Sequence, residues 1–199
     1  MLAAELAGKT SSTTPPHERM EDVLTSNVFS SFRYLNKLDI ISRFLKRAKN
    51  IGGDSLALDD LVDFEAYFWP KFRFLGTGKR EPDAVLFATD INGKHLSFIV
   101  EAKLDSGLHN ASNKQVIGAD NDKIELGHQL ADQYCSLHCG KWDHKEIANK
   151  LNNAERKYLI YLTAHYSFPQ VDMKSAKCEI DARYNKNIKG CGQSHCQES

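Results

Sequence analysis

The sequence predicts an α/β protein, with a mixed central β-sheet flanked by helices, and three stretches of its 199 residues carry that prediction. Met20, Leu24, Val28, Phe32 and Leu35 recur at three- and four-residue spacing, the period of a helix laid on a core. Ala84 to Ala88 and Leu96 to Val100 are short, β-rich apolar runs on either side of Asn92-Gly93, which reads as a hairpin. Lys157 to Ala164 is a continuous apolar run of strand length, the pattern of a central strand covered on both faces.

Taken in order, residues 1–16 are polar and Ser/Thr/Pro-rich, a leader ahead of a domain spanning 17–183. A helix is expected from His17 to about Lys49, with a break near Asn36, and Asn50-Ile51-Gly52-Gly53-Asp54 ends it. A second helix over Leu58 to Phe68 leads through Trp69-Pro70 to a strand at Phe72 to Leu75, and Gly76-Thr77-Gly78 turns the chain. After the hairpin, the polar stretch Asp105 to Asp122 reads as a long loop and Lys123 to His138 as a helix. One more helix precedes the last strand and another follows Pro169, while 184–199 form a polar tail. The order α-α-β-β-β-α-α-β-α implies a mixed sheet between helical layers.

Apolar content of 41% and charged content of 26% are those of an ordinary globular domain. Lys+Arg and Asp+Glu both number 26, so no global basic field argues for nucleic acid. Any such affinity must come from local patches, Arg43, Lys46, Arg47 and Lys49 or Lys71, Arg73, Lys79 and Arg80, which otherwise are solvated faces. The start lacks a basic segment followed by an apolar core and no run reaches membrane-spanning length, so a cytoplasmic protein is expected, without a membrane partner. Five cysteines, an odd number without a stapled-domain spacing, are expected as reduced thiols. Cys135, His138 and Cys139 or Cys191, His195 and Cys196 fit no common zinc pattern. Gly8-Lys9-Thr10 is no phosphate loop, because Ala3 stands where the first glycine belongs. His165, just past the last strand, reads as structural.

The densest chemistry lies on the hairpin. Glu81-Pro82-Asp83 opens its first strand, and Glu101-Ala102-Lys103 closes its second. A three-residue loop, Ile91-Asn92-Gly93 with Gly93 left-handed, sets Asp90 opposite Lys94 and, seven pairs back, Asp83 opposite Glu101. Facing residues share a sheet face and Lys103, two further on, points the same way. A two-residue turn would slip the register by one and part the acids. An unpaired, half-buried carboxylate costs several kcal/mol, and a divalent cation is the simplest neutraliser of Asp83 and Glu101. Without a cation the three would be a structural ion-pair cluster. Glu21 leans toward the buried stripe of the first helix, a third acid or a first-turn residue favoured by the helix dipole. Gln129 could bond a phosphate or a metal-bound water from the helix after the long loop, or simply face solvent.

Pro82-Asp83 followed by Glu101-x-Lys103 on the next strand, an acid on an earlier helix and a glutamine on a later one, resembles the PD-(D/E)xK superfamily, the restriction-endonuclease-like nucleases. The resemblance covers roughly 17–182 and implies a three-layer core with a mixed central sheet. It also implies a metal-dependent nuclease, with DNA as the expected substrate and Mg²⁺ or Mn²⁺ as cofactor. By position, Asp83 and Glu101 would be metal ligands with the Ala102 carbonyl as a third oxygen and Glu21 as the helical acid. Lys103 would orient and help deprotonate the attacking water, and Gln129 would be the helical glutamine. Some members carry Gln-x-x-x-Tyr, whereas here Tyr134 follows Gln129 by five, and the family completes its core near the C-terminus, where this chain is polar. Many members form homodimers. The competing expectation is a non-cleaving interaction module for nucleic acid or protein on the same fold.

Overall fold

The computed structural model describes residues 16–34, 38–74, 78–103, 115–117, 124–126, 128–163 and 169–185. Two helices open it, α1 (Pro16–Tyr34) and α2 (Leu38–Lys46), and the break expected near Asn36 lies between them, outside the described residues. Of the predicted stripe on α1, Leu24 is 49% exposed and Val28 half-buried, while the side chains of Met20, Phe32 and Leu35 lie outside the described residues; Thr25, Ser26 and Phe29 are buried. Phe29 supplies the apolar area, and the small Thr25 and Ser26 let the helix lie close, with the Ser26 hydroxyl donating to the Val23 carbonyl at 3.1 Å. In α2 the buried residues are Ile41, Ser42 and Leu45, and Asp39 in the first turn with Arg43 and Lys46 in the last complements the helix dipole.

The segment expected as a second helix is instead a strand, β1 (Leu61–Phe68). Leu58, Leu61, Phe64 and Phe68 satisfy helical spacing, but Val62, Phe64, Tyr67 and Phe68 are β-branched or aromatic, and an open strand edge is available to pair with. Strands β2 (Phe72–Phe74), β3 (Gly78–Arg80), β4 (Ala84–Asp90) and β5 (His95–Lys103) follow. The stretch expected as a loop carries β6 (Gln115–Ile117), and its antiparallel partner β7 (Ile124–Leu126) takes the first turn of the expected helix, so α3 (Gln129–Cys139) starts six residues later than predicted. Then come β8 (Lys141–Trp142), α4 (Lys145–Asn153), β9 (Arg156–Thr163) and α5 (Gln170–Asn185).

The four-stranded sheet has the order β1-β4-β5-β9, antiparallel except for the parallel β5/β9 pair, and β3-β2-β8 form a separate antiparallel sheet. Thus β9 ends the sheet instead of lying at its centre. Its apolar run correctly reported two covered faces, since Tyr158, Ile160 and Leu162 pack against one core cluster and Leu159 against the other. Burial of the faces does not say whether a strand has one neighbour or two. On one face, Leu86, Phe98 and Val100 meet Phe29 of α1 and Ile41 and Leu45 of α2. On the other, Val85, Phe87 and Ile99 meet Leu137 of α3 and Ile147 and Leu151 of α4. Among the described residues no helix is long and apolar enough to cross a membrane.

Gly140 closes α3, where an added Cβ would stand 2.7 Å from both the Ser136 carbonyl oxygen and the Ser136 Cβ. The clash is with backbone that cannot yield, so Gly140→Ala is expected to cost about 1–3 kcal/mol. Urea unfolding should show a lower midpoint at unchanged slope, and a midpoint equal to wild type would contradict the packing.

Candidate functional site

The hairpin register brings the charges together. Ala84 pairs with Val100 and Thr89 with His95, and the backbone ladder ends one residue short of Asp83, which stands in a bend. At the loop the Asp90 N–H donates to the Lys94 carbonyl at 3.0 Å, and Gly93 is left-handed with φ of 79°, as the odd-numbered loop requires. The Asp90 carboxylate fixes the turn from within, accepting the N–H groups of Asn92 and Lys94 at 2.9 Å each.

At its start β4 diverges from β5, and the Asp83 side chain continues the ladder. Its Oδ2 accepts the Ala102 N–H at 2.7 Å, while its carbonyl accepts the Trp69 N–H at 3.2 Å. In an antiparallel ladder a residue turns its N–H and C=O to the same neighbour, so the Ala102 carbonyl faces the Asp83 side too. Trp69 carries φ of 49°, a left-handed backbone rare for an aromatic residue, and its indole donates to Asp22 Oδ1 at 3.0 Å.

Glu101 is buried and holds three donors: Gln129 Nε2 on Oε1 at 2.6 Å, Gln133 Nε2 on Oε2 at 2.6 Å, and Lys103 Nζ 3.0 Å from Oε1. Both glutamines project from α3 onto the sheet face that carries Val85 and Ile99. Burial, and then the neighbouring Glu101, push the Asp83 carboxyl up to about 8, with the Ala102 N–H and Lys103 opposing and Asp22 adding to the rise. Burial likewise raises Glu101, against the pull of Lys103 and the two amides. Below about pH 8 Asp83 keeps its proton, and only above it do two ionised carboxylates face the one ammonium.

A carboxyl whose proton affinity rises on folding stabilises the protein fully only below its unfolded pKa of about 4, and that contribution is lost as pH rises through about 8. Asp83→Asn, which can still accept the Ala102 N–H, should therefore raise the unfolding temperature in EDTA at pH 8.5 and change it little at pH 4. Parallel wild-type and variant profiles across that range would contradict this.

Hard carboxylate oxygens suit Mg²⁺ or Mn²⁺, and Mg²⁺ characteristically takes one or two carboxylates and keeps several waters. Asp83, Glu101 and the Ala102 carbonyl are oxygen donors of that kind. Among the described residues no group of three or more His, Cys, Asp or Glu could hold a metal ion. The Glu21 backbone lies in α1, but its side chain is outside the described residues, as is His165. The described helical acid beside Asp83 is Asp22, three and four residues before the buried Thr25 and Ser26, which the predicted stripe concealed.

Gln133 was also missed, although its spacing from Gln129 puts both amides on one helical face. Tyr134 turns instead to the apolar cluster of Val85 and Phe87. The basic patches are largely paired: Lys71 with Glu81 and Lys79 with Asp143, both at 3.6 Å, Lys46 with Asp60 at 2.9 Å, and Arg80 with Asp132 through Nε at 2.9 Å and NH2 at 2.7 Å. Compared with models of known families, with characterised proteins and with solved structures, the chain matches none.

Proposed function

We propose that this chain is a metal-dependent nuclease, hydrolysing phosphodiester bonds in DNA, with the three-layer core of the PD-(D/E)xK nucleases. The observation that carries the reading is the hairpin register, which sets Asp83 beside Glu101-Ala102-Lys103 on one buried sheet face. Helices on both faces of a mixed sheet support the fold assignment.

Asp83 and Glu101, with the Ala102 carbonyl, would hold Mg²⁺ or Mn²⁺. The bound ion would supply charge to the phosphate oxygens and acidity to a water. Lys103, anchored on Glu101, supplies the ammonium that orients the attacking water and donates to the phosphate. Gln129 donates to the same Glu101, and Glu21 is proposed as the helical acid, next to Asp22 along α1.

Incubation of plasmid, single-stranded DNA and RNA with Mg²⁺, Mn²⁺ or EDTA, alongside Asp83→Ala and Lys103→Ala, tests the reading. Cleavage is expected with either metal, with none in Asp83→Ala and only a strongly slowed residue of it in Lys103→Ala. Cleavage that survives EDTA, or that runs at the wild-type rate in either variant, overturns it. One observation favours the second reading, a non-cleaving interaction module: both Glu101 oxygens already carry protein donors, as in a closed structural cluster. Intact substrates under every condition would select that reading.

A further inference from the structure

Two amides of the same chemistry grip one carboxylate from the same helix, yet their surroundings differ. Gln133 is 1% exposed, and its Nε2 holds Glu101 Oε2 from inside the core. Gln129 is half-buried at the first residue of α3, and its Nε2 shares Glu101 Oε1 with Lys103. The carbonyl of Gln133, Oε1, is buried without a hydrogen-bond partner. The opposite amide orientation would set that oxygen against the Glu101 carboxylate, acceptor to acceptor, so the carboxylate dictates how Gln133 sits. A buried acceptor left without a donor is costly, and here the cost accompanies a fixed orientation of Glu101.

We propose that Gln133 is a positioning residue that fixes Glu101 through Oε2, and that Gln129 is an exchangeable donor displaced from Oε1 when a divalent cation enters. The inference rests on the reading of Asp83 and Glu101 as a metal centre and adds which oxygen of Glu101 the cation takes. Displacing Gln129 returns its amide to water at little cost, because the side chain is only half-buried. Displacing Gln133 would strand an amide and a carboxylate oxygen together in the core. Lys103 remains near Oε1, within a side-chain rotation of an incoming phosphate.

The two glutamines then have opposite effects on one measurable quantity. Methionine is close to glutamine in shape and removes the amide, so Gln133→Met should weaken Mn²⁺ binding about tenfold to a hundredfold, the range seen when a ligand's supporting hydrogen bond is lost. Gln129→Met removes a competitor for Oε1 and should tighten Mn²⁺ about threefold to tenfold. Isothermal titration of the purified, metal-stripped protein with Mn²⁺ reads both, and an unfolding profile in EDTA confirms that each variant is folded. Gln129 is near the surface, so its variant still tests the proposal even if Gln133→Met fails to fold. Loss of affinity in Gln129→Met, or unchanged affinity in a folded Gln133→Met, overturns the proposal while leaving the metal centre standing. A wild-type protein that binds no Mn²⁺ overturns both.

Discussion

Under the proposed nuclease function, Lys103→Ala is expected to slow metal-dependent phosphodiester cleavage by about a hundredfold to ten-thousandfold, the span contributed by a positioned proton-transfer or electrostatic group. The side chain is only 12% exposed and its Nζ stands 3.0 Å from Glu101 Oε1, so truncation removes a donor close to the reacting centre. It also removes the charge that most strongly opposes the rise in Glu101's proton affinity. Both acids then bind protons more tightly, and the variant's residual rate should climb with pH over a range where the wild type is flatter. Lys103→Arg keeps the charge but replaces a compact ammonium with a planar fork, and should not restore the rate. Rates on one oligonucleotide, measured from pH 6 to 9, separate these effects. A uniform loss at every pH would deny that Lys103 acts on the acids, and no loss would remove it from the chemistry.

Arg183→Met should destabilise the protein by about 3–5 kcal/mol, a large part of the 5–15 kcal/mol that holds an ordinary domain together. Arg183 is fully buried near the end of α5, its NH2 lying 2.6 Å from Asp132 Oδ1 and also pairing with Glu179. Asp132, on α3 between the two glutamines, is held on its other oxygen by Arg80, three residues before Asp83. Removing Arg183 leaves Asp132 half-compensated in the core and takes the guanidinium from Glu179, which keeps the His128 N–H at 3.1 Å. Because this cluster links α5, α3 and β3, Mn²⁺ affinity should fall as well. The double variant Asp132→Leu/Arg183→Met should recover part of the lost stability, since replacing both members of a buried pair avoids stranding one charge. Urea unfolding of wild type and both variants tests the set, and a loss below about 1 kcal/mol in Arg183→Met would show that the pair is not needed.

Much of the site was legible because β-structure is written locally. Asn92-Gly93 between two apolar runs marks a hairpin, and the odd loop with the register from Thr89 opposite His95 to Ala84 opposite Val100 follows from it without reference to any other part of the chain. The parts that were not legible depend on distant segments. Leu58 to Phe68 has helical spacing and strand composition together, and only the open edge of β4 decides between them. The inward face of α1 was misjudged because two faces of that helix carry apolar residues, and the one chosen is the one on which Phe29 fills the space above Leu86 and Phe98.

By itself, then, the sequence determined what local geometry can encode: the hairpin register, the placement of two acids and a lysine on one face, and the α/β character of the chain. Tertiary structure alone decided which donors surround Glu101, that Arg183 reaches Asp132 from 51 residues away, and that β9 ends the sheet. The physical reason is that backbone pairing follows from nearest neighbours along the strand. Burial of charge is settled only when remote segments close over it and exclude water, and no local pattern records which of them will arrive.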